Sequence, residues 1–310
     1  MNPVIQTEHL SKWYGPVIAI NRVNMALMPG ITALLGPNGA GKSTLMRLLT
    51  GHIRPSQGSV RLFGEDVDGN VDVLRRIGIC PDFDNFYEDM TGLEFTTFFA
   101  KLAGLPTAVA KRAADETLTR LGLMDARKRR IRGYSKGMRQ RVKLAQALVH
   151  APDLIFLDEP MTGLDPVARH EVAEMLKDFA RTGKSVLISS HILHEVESIT
   201  ENFVLLAHGQ VLAEGDVHAI REELEHHPYM IRIVCTKPRE LARALASDPI
   251  VRDIEIHDGD TESFVVLRTL AAGEVFSALP RLALDLGIEI FEIVSPDDNI
   301  EAVFDYLVKG

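Results

Sequence analysis

The fold of this chain is decided by the glycine-rich stretch Gly36-Pro37-Asn38-Gly39-Ala40-Gly41-Lys42-Ser43-Thr44. An apolar strand, Ile31 to Leu35, is predicted before it, and an apolar helix, Leu45 to Leu49, after it. The stretch fits the pattern G-x-x-x-x-G-K-[ST], whose backbone N–H groups bind the phosphates of a nucleoside triphosphate. We therefore predict a phosphate-binding loop within an α/β fold.

Each fixed position of this loop has a physical reason. Gly36 and Gly41 allow a tight turn that presents successive N–H groups to an anion. The helix that begins near Lys42 directs its positive end at the same place. Lys42 is expected to reach the β and γ phosphates, and Ser43 Oγ is expected to bind Mg²⁺.

Composition limits the classes of protein that fit. The chain has 310 residues, 46% of them hydrophobic, which is enough for a large core and two domains. We find no long apolar run and no signal sequence, so we expect a soluble protein that stays in the cytoplasm. Cys80 and Cys235 are predicted to be buried as small hydrophobic residues. The net charge of −9 argues against broad nucleic-acid binding.

Two further strand ends carry residues suited to phosphate chemistry. The apolar run Leu154 to Leu157 predicts a buried parallel strand that ends in Asp158 and Glu159. Ligands of α/β sheets bind at such carboxyl ends, so Asp158 is expected to hold the water shell of Mg²⁺ and Glu159 to orient or deprotonate the attacking water. A second strand ends at His191, which is placed to contact the γ phosphate.

Four other features remain open on residue chemistry alone. Tyr14 either stacks on an adenine ring or covers the end of a sheet. Ser135 is predicted to cap a helix whose N-terminus forms a second anion site. The aromatic segment from Phe83 to Phe99 is either a partner-binding groove or plain core. The basic run from Arg127 to Lys143 either contacts phosphates or lipid headgroups, or is a solvated face.

Taken together and in order, these motifs resemble the nucleotide-binding subunit of an ATP-binding cassette (ABC) transporter over about residues 1 to 217. The family's Walker A loop matches Gly36 to Thr44, and its Walker B strand matches Leu154 to Glu159. Its D-loop matches Gly163 to Asp165, and its switch histidine matches His191. Tyr14 aligns with the adenine-stacking aromatic residue, which favours stacking over sheet capping.

Two departures from the family pattern matter. The signature, usually L-S-G-G-Q, is Tyr134-Ser135-Lys136-Gly137-Met138, a form similar to subunits of drug, lipid and antibiotic exporters with a separate permease. Asp82 stands where the family has a glutamine that touches Mg²⁺. A shorter, ionised side chain is expected to reach the metal through water.

The resemblance implies a P-loop NTPase cassette with a RecA-like core, an antiparallel β-subdomain and a helical subdomain. It also implies a homodimer or heterodimer around two ATP molecules, in which Ser135 and Gly137 of one subunit face the nucleotide on the other subunit's Walker A loop. The predicted nucleotide-binding residues are Tyr14, Gly36, Asn38, Gly39, Ala40, Gly41, Lys42, Ser43, Thr44, Ser135, Gly137 and Asp165. The predicted catalytic residues are Glu159, His191 and Lys42. The predicted metal ligands are Ser43, Asp158 and Asp82.

The same resemblance places the chain on the inner face of the cell membrane, where it powers an integral membrane permease, with the aromatic segment after Asp82 as the docking groove. Two other functions stay open: an ABC-type ATPase acting on nucleic acid or ribosomes, and a non-hydrolysing ATP switch. The acidic net charge argues against the first and the intact Glu159 and His191 argue against the second.

The remaining third of the chain is predicted to form a second domain, residues 228–310. Its apolar pattern gives strands and helices in the order βαββαβ, which is the ferredoxin-like arrangement, followed by a last helix around Phe304. Pro280 is expected to kink or restart the second helix. A regulatory or dimer-stabilising role is expected by resemblance to other exporter ATPases, and a domain that only packs against the cassette is the alternative.

Overall fold

A computed structural model describes residues 2–216, 229–246, 248–259 and 263–295. The chain divides after Asp216 into two compact units. Among the described residues, no helix has the length and apolar character that crossing a bilayer requires. Functional domains with limits at 217 and 228 stay a prediction.

The first unit contains ten strands and seven helices in its described part, followed in chain order below. The strands are β1 (Ile5–Tyr14), β2 (Val17–Leu27), β3 (Ile31–Leu35), β4 (Gln57–Leu62), β5 (Glu65–Asp66), β6 (Ile77–Cys80), β7 (Leu154–Asp158), β8 (Ser185–Ser190), β9 (Asn202–Ala207) and β10 (Gln210–Asp216). The helices are α1 (Lys42–Leu49), α2 (Val71–Arg75), α3 (Gly92–Leu102), α4 (Thr107–Arg120), α5 (Lys136–Leu148), α6 (Pro166–Arg181) and α7 (Leu193–Glu197).

The central sheet has the strand order β10-β9-β3-β8-β7-β6. Its β9, β3, β8, β7 and β6 pair in parallel, and β10 adds an antiparallel edge. Nearly every residue of β3, β7 and β8 is buried, as expected for strands covered on both faces. The parallel order brings the loops after β3, β6, β7 and β8 to one edge of the sheet. The predicted α/β P-loop core is confirmed.

A second sheet, with strand order β2-β1-β4-β5, is antiparallel and matches the short alternating runs near the N-terminus. The helical subdomain is formed by α3, α4 and α5. Thr91 begins α3 with a reciprocal capping box, since its side chain accepts from the Glu94 N–H while Glu94 accepts from the Thr91 N–H. Small residues pack where these helices meet, among them Ala100, Ala110 and Ala114.

The second unit contains a four-stranded antiparallel sheet of order β12-β13-β11-β14 and two helices. Its elements are β11 (Tyr229–Cys235), α8 (Pro238–Leu245), β12 (Val251–Asp258), β13 (Ser263–Thr269), α9 (Ala272–Leu286) and β14 (Ile290–Val294). They follow one another as βαββαβ, and α9 continues through Pro280 instead of restarting there. Assignment to the ferredoxin-like class stays a prediction, and the expected last helix lies outside the described residues.

Candidate nucleotide-binding site

The phosphate loop joins β3 to α1. Gly41 has a φ of 107° and caps α1 without a side-chain hydrogen bond, so the first N–H groups of the helix are left for an anion. A Cβ at Gly41 would meet the backbone oxygen of Ala19, and one at Gly36 would meet that of Leu206. Gly39 instead faces open space, since a Cβ there would meet nothing within 4 Å. The loop is therefore a cradle with a free inner face, which fits a triphosphate.

Lys42 is the buried cation of this loop. Its side chain is 6% exposed, and Nζ donates to Gly36 O at 2.5 Å and to Pro37 O at 3.2 Å. Nζ also lies 3.6 Å from Glu159 Oε1. The predicted loop residues Asn38, Gly39 and Ser43 are exposed around it, Thr44 is half-buried, and Ala40 is buried.

The acidic end of β7 lies beside this lysine. Glu159 Oε2 accepts from His191 Nδ1 at 2.9 Å, and because an ionised carboxylate only accepts hydrogen bonds, that contact places a proton on Nδ1. Asp158 Oδ1 accepts from Ser189 Oγ at 2.6 Å. The structure thus brings together the three predicted catalytic residues Lys42, Glu159 and His191.

Burial governs the electrostatics of this group. It raises the pKa of Glu159 above that of an ordinary glutamate, although His191 and Lys42 oppose the shift. It lowers the pKa of Lys42 against the attraction of Glu159 and Asp158. Both shifts show that desolvation outweighs the Coulombic attraction within this buried ion pair. A carboxylate with a raised pKa is a better base toward water, which suits the role predicted for Glu159.

Asp82 lies in the loop that follows β6, and β6 is the strand that pairs with β7. Its backbone carbonyl accepts from Lys143 Nζ at 2.8 Å, and the same Nζ lies 3.1 Å from Asp84 Oδ1. The Asp82 carboxylate is also among the charges that raise the pKa of Lys42, so it shares the sheet edge with the phosphate loop. Its role as a metal ligand stays a prediction.

The signature residues begin a different helix. Ser135 Oγ accepts from the Met138 N–H at 3.3 Å and caps α5, as predicted. A Cβ at Gly137 would lie 3.8 Å from Leu164 of the D-loop, so these two motifs adjoin within one chain. Asp165 Oδ1 accepts from the Ala168 N–H at 2.9 Å and caps α6. The structure gives Asp165 this structural role, and its contact with nucleotide stays a prediction.

The aromatic segment divides into core and groove. Phe95 is fully buried and packs against Phe86 and Phe99, with ring centroids 5.3 and 4.9 Å away. Phe83, Phe86 and Phe99 also line an open cavity of about 540 Å³ together with Leu102. Phe95 is therefore one of the core members of the segment, and the role of the cavity wall as a docking groove stays a prediction.

Two exposed features remain. Tyr14 ends β1 with 47% of its surface exposed, and Lys12 Nζ lies 5.4 Å from its ring centroid, so the ring is accessible for stacking. Much of the basic run is neutralised by nearby carboxylates. Arg130 and Arg132 both pair with Asp89, at 3.0 and 3.4 Å. These pairs favour a solvated face over a phosphate-binding surface.

Sequence reasoning missed Ser189 and Lys143. Ser189 follows an apolar run and belongs to no motif, and only the pairing of β7 with β8 places it opposite Asp158. Lys143 belongs to the basic run, for which both expected alternatives place the side chains at the surface, yet it is 5% exposed. A sequence signal for the burial of Lys143 was its place directly after the apolar Val142 in the predicted helix. In the structure this helix, α5, packs on β6.

The fold and the site together define a P-loop ATPase of the cassette type. A family model for ABC transporters matches residues 20–162. The chain is 36% identical to the daunorubicin/doxorubicin resistance ATP-binding protein DrrA of Streptomyces peucetius, over 78% of this chain and 74% of that protein. It is 30% identical to the bacitracin transport ATP-binding protein BcrA of Bacillus licheniformis, over 100% of this chain and 99% of that protein.

A solved structure of the ATP-binding subunit of an ABC transporter superposes with a TM-score of 0.65 at 31% identity, over 71% of this chain and 93% of that one. The chain belongs to the family of ABC transporter ATP-binding proteins. It is an ATP-binding subunit with ATPase activity, as the sequence predicted.

Proposed function

We propose that two cassette subunits close around two ATP molecules and that this cycle drives a separate membrane permease. The observation that carries the proposal is that the two predicted anion-binding ends begin two different helices of one chain. The phosphate loop begins α1, which packs on β2, β4 and β7, whereas Ser135 caps α5, which packs on β6, β7, α3 and α4. A second subunit supplies the missing helix end at each nucleotide.

The chemistry proposed for the site is in-line attack of water on the γ phosphate. Glu159 accepts the proton of that water, and His191 holds the Glu159 carboxylate through the Nδ1 contact. Lys42 stabilises negative charge on the phosphates once it leaves the carbonyl groups of Gly36 and Pro37.

When bound, Mg²⁺ would neutralise negative charge on the phosphates. The donor set fits this ion, since Mg²⁺ prefers oxygen ligands and is commonly held by one or two carboxylates together with substrate phosphates. Asp158 and the exposed hydroxyl of Ser43 are the proposed protein groups, with Asp82 acting through water.

We propose that transport is outward and that the chain works at the inner face of the cell membrane. Support comes from DrrA and BcrA, whose names describe drug resistance and bacitracin transport. The cavity lined by Phe83, Phe86, Phe99 and Leu102 is the proposed seat of a cytoplasmic helix of the permease, because aromatic and apolar walls suit a helix-in-groove contact. The second unit is proposed to regulate the cassette or stabilise its dimer.

A mixing experiment tests the shared site. Lys42→Ala removes the phosphate-loop cation and Gly137→Asp puts a negative charge at the signature, so each variant alone is expected to be inactive. A mixed dimer of the two contains one intact site. With random pairing, an equal mixture is expected to recover about a quarter of wild-type turnover. No recovery in a mixture proven to contain mixed dimers would contradict a site built from two subunits.

The transport role needs its own experiment. Detergent extraction of the native membrane with the tagged subunit is expected to recover a membrane-spanning partner. Phe83→Asp and Phe99→Asp in the groove are expected to release that partner while ATP binding is kept. Recovery of nucleic acid instead would favour the ribosome or nucleic-acid function and contradict the transport function.

A further inference from the structure

The two acidic residues at the end of β7 share one buried hydroxyl group. Ser189 Oγ lies 2.6 Å from Asp158 Oδ1 and 2.9 Å from the backbone nitrogen of Glu159. Ser189 has no exposed surface. It reaches both residues because β7 and β8 are paired in parallel with Asp158 opposite Ser189. A single side chain thus contacts the proposed metal ligand and the proposed base.

The direction of both hydrogen bonds follows from chemistry. The Glu159 N–H only donates, so it uses an acceptor site of the Ser189 oxygen. The single hydroxyl proton is then free for Asp158, whose ionised carboxylate only accepts. A distance of 2.6 Å is typical of a charge-assisted O–H···O⁻ bond, which is stronger than a neutral one. Ser189 therefore fixes one oxygen of the Asp158 carboxylate.

The second bond supports an unusual backbone conformation. Glu159 has a φ of 50°, in the left-handed region that residues with a Cβ seldom adopt. The N–H of Glu159 would lose its described partner without Ser189. In this conformation the Glu159 side chain reaches both His191, at 2.9 Å, and Lys42, at 3.6 Å. The hydroxyl thus helps to hold the carboxylate where it is placed to meet water.

We propose that Ser189 is a positioning residue for ATP hydrolysis. Its hydroxyl fixes the orientation of the Asp158 carboxylate, which would hold the metal, and it holds the backbone that carries Glu159. The hydroxyl couples these two groups, since movement of β8 relative to β7 would disturb both together. The inference rests on the metal role proposed above for Asp158.

The test compares two variants with a matched control. Ser189→Ala removes the hydroxyl, and Ser189→Thr keeps it. Ser185→Ala is the control, because Ser185 is also buried on β8 but lies at the opposite end of the strand. Its hydroxyl accepts a hydrogen bond from the backbone N–H of Gly30 at 3.3 Å. The first measurement is the dissociation constant of a fluorescent ATP analogue with Mg²⁺ and with EDTA. The second is turnover, and the third is the melting temperature.

In the wild type and in Ser185→Ala, Mg²⁺ is expected to tighten binding by the same factor. In Ser189→Ala this factor is expected to fall about tenfold, because a hydrogen bond to a charged group is worth that order of affinity. Binding in EDTA is expected to stay within about twofold, since only the metal-dependent part changes. Turnover is expected to fall about tenfold or more, and Ser189→Thr is expected to restore both quantities.

Three results would overturn the inference. An unchanged Mg²⁺ effect in Ser189→Ala, with a melting temperature lowered as in Ser185→Ala, would mean that Ser189 is only structural. No Mg²⁺ effect in the wild type itself would refute the metal role of Asp158 and this inference with it.

If the methyl group of Ser189→Thr prevents folding, Ser189→Cys replaces it. Its weak S–H donor is expected to give an intermediate Mg²⁺ effect, and a value equal to Ser189→Ala would also count against the hydroxyl.

Discussion

Two neighbouring strands carry acidic residues at the same edge of the sheet, and the protein holds them in different ways. At the end of β7, the Asp158 carboxylate and the Glu159 backbone N–H contact the buried hydroxyl of Ser189, and the Glu159 carboxylate contacts the partly exposed His191. After β6, the loop with Asp82 is bound through a backbone carbonyl by Lys143, which belongs to α5.

This difference separates the end of β7, which we call the fixed region, from the loop after β6, which is bound to helix α5. Ser189 belongs to β8 and His191 directly follows that strand, so the geometry of Glu159 depends on the buried pairing of β7 with β8. The loop after β6 is held twice by α5, since Lys143 pairs with Asp84 and Arg139 makes a bidentate pair with Glu88 at 2.6 and 2.8 Å. We therefore expect that loop to follow a displacement of α5, which is capped by the signature residue Ser135.

The largest effect is expected at the fixed region. Glu159→Gln keeps the shape of the side chain but removes the base, so turnover is expected to fall by about three orders of magnitude. ATP binding is expected to stay within about twofold. The ATP-bound dimer is expected to accumulate in size-exclusion chromatography with Mg²⁺. Glu174→Gln on α6 is the control, because that exposed carboxylate pairs only with Lys177 in the described contacts. Unchanged turnover in Glu159→Gln would show that another group is the base.

A smaller loss is expected from the residue that holds the base. His191→Ala removes the 2.9 Å contact to Glu159 but leaves its carboxylate and the pair with Lys42. Turnover is expected to fall about 10- to 100-fold, less than in Glu159→Gln. The double variant is expected to be no worse than Glu159→Gln alone, because both changes act through one group. A further tenfold loss in the double variant would mean that His191 acts independently of Glu159.

Motif order was enough to predict the fixed region. The P-loop, the apolar run before Asp158 and the strand before His191 are local patterns, and parallel strands bring their carboxyl ends to one edge. Their partners were harder to predict. Ser189 gains its role only from the pairing of β7 with β8, which a single sequence does not specify.

The loop after β6 shows a second limit of sequence reasoning. Charge alone suggested that Lys143 is solvated, and its burial became evident only when α5 was found packed on β6. The helical periodicity of α5 was clear in the sequence, but the helix has polar residues on its buried side, including Gln140 and Lys143. The sequence also did not show which aromatic residues of the segment are core, and the packing of α3 identifies Phe95 as one of them.

The third prediction tests the tethered loop. Lys143→Met removes both contacts of Nζ, whereas Asp84→Asn weakens only one. Amide hydrogen exchange in residues 82–88 is expected to rise about tenfold in Lys143→Met and less in Asp84→Asn. Exchange at 156–159 is expected to stay unchanged, and ATP turnover is expected to fall only about threefold. Equal acceleration at both strand ends would show that the two regions are held as one.

The smallest effect is a change of stability with pH. The pKa of Glu159 is raised above its usual value of 4.5, mainly by burial. The folded protein therefore binds more protons than the unfolded chain between the usual and the raised pKa, and its stability falls as pH rises through that window. At neutral pH the wild type carries the cost of a buried carboxylate, which Glu159→Gln lacks. Without nucleotide, the variant is expected to melt about 1–3 °C higher at pH 7.5.

The sign of the difference in melting temperature between Glu159→Gln and the wild type shows which effect is larger at Glu159, the cost of burying the carboxylate or its attraction to Lys42 and His191. The gain in melting temperature is expected to shrink as the pH is lowered toward the raised pKa, because Glu159 then becomes neutral in the folded wild type as well. Glu174→Gln is expected to show no such gain, since the pKa of Glu174 is lowered by its hydrogen bond from Lys177. A variant that melts below the wild type at pH 7.5 would mean that the contacts with Lys42 and His191 outweigh desolvation. The fixed region would then be held by attraction between its charges, and the pKa of Glu159 would not be raised.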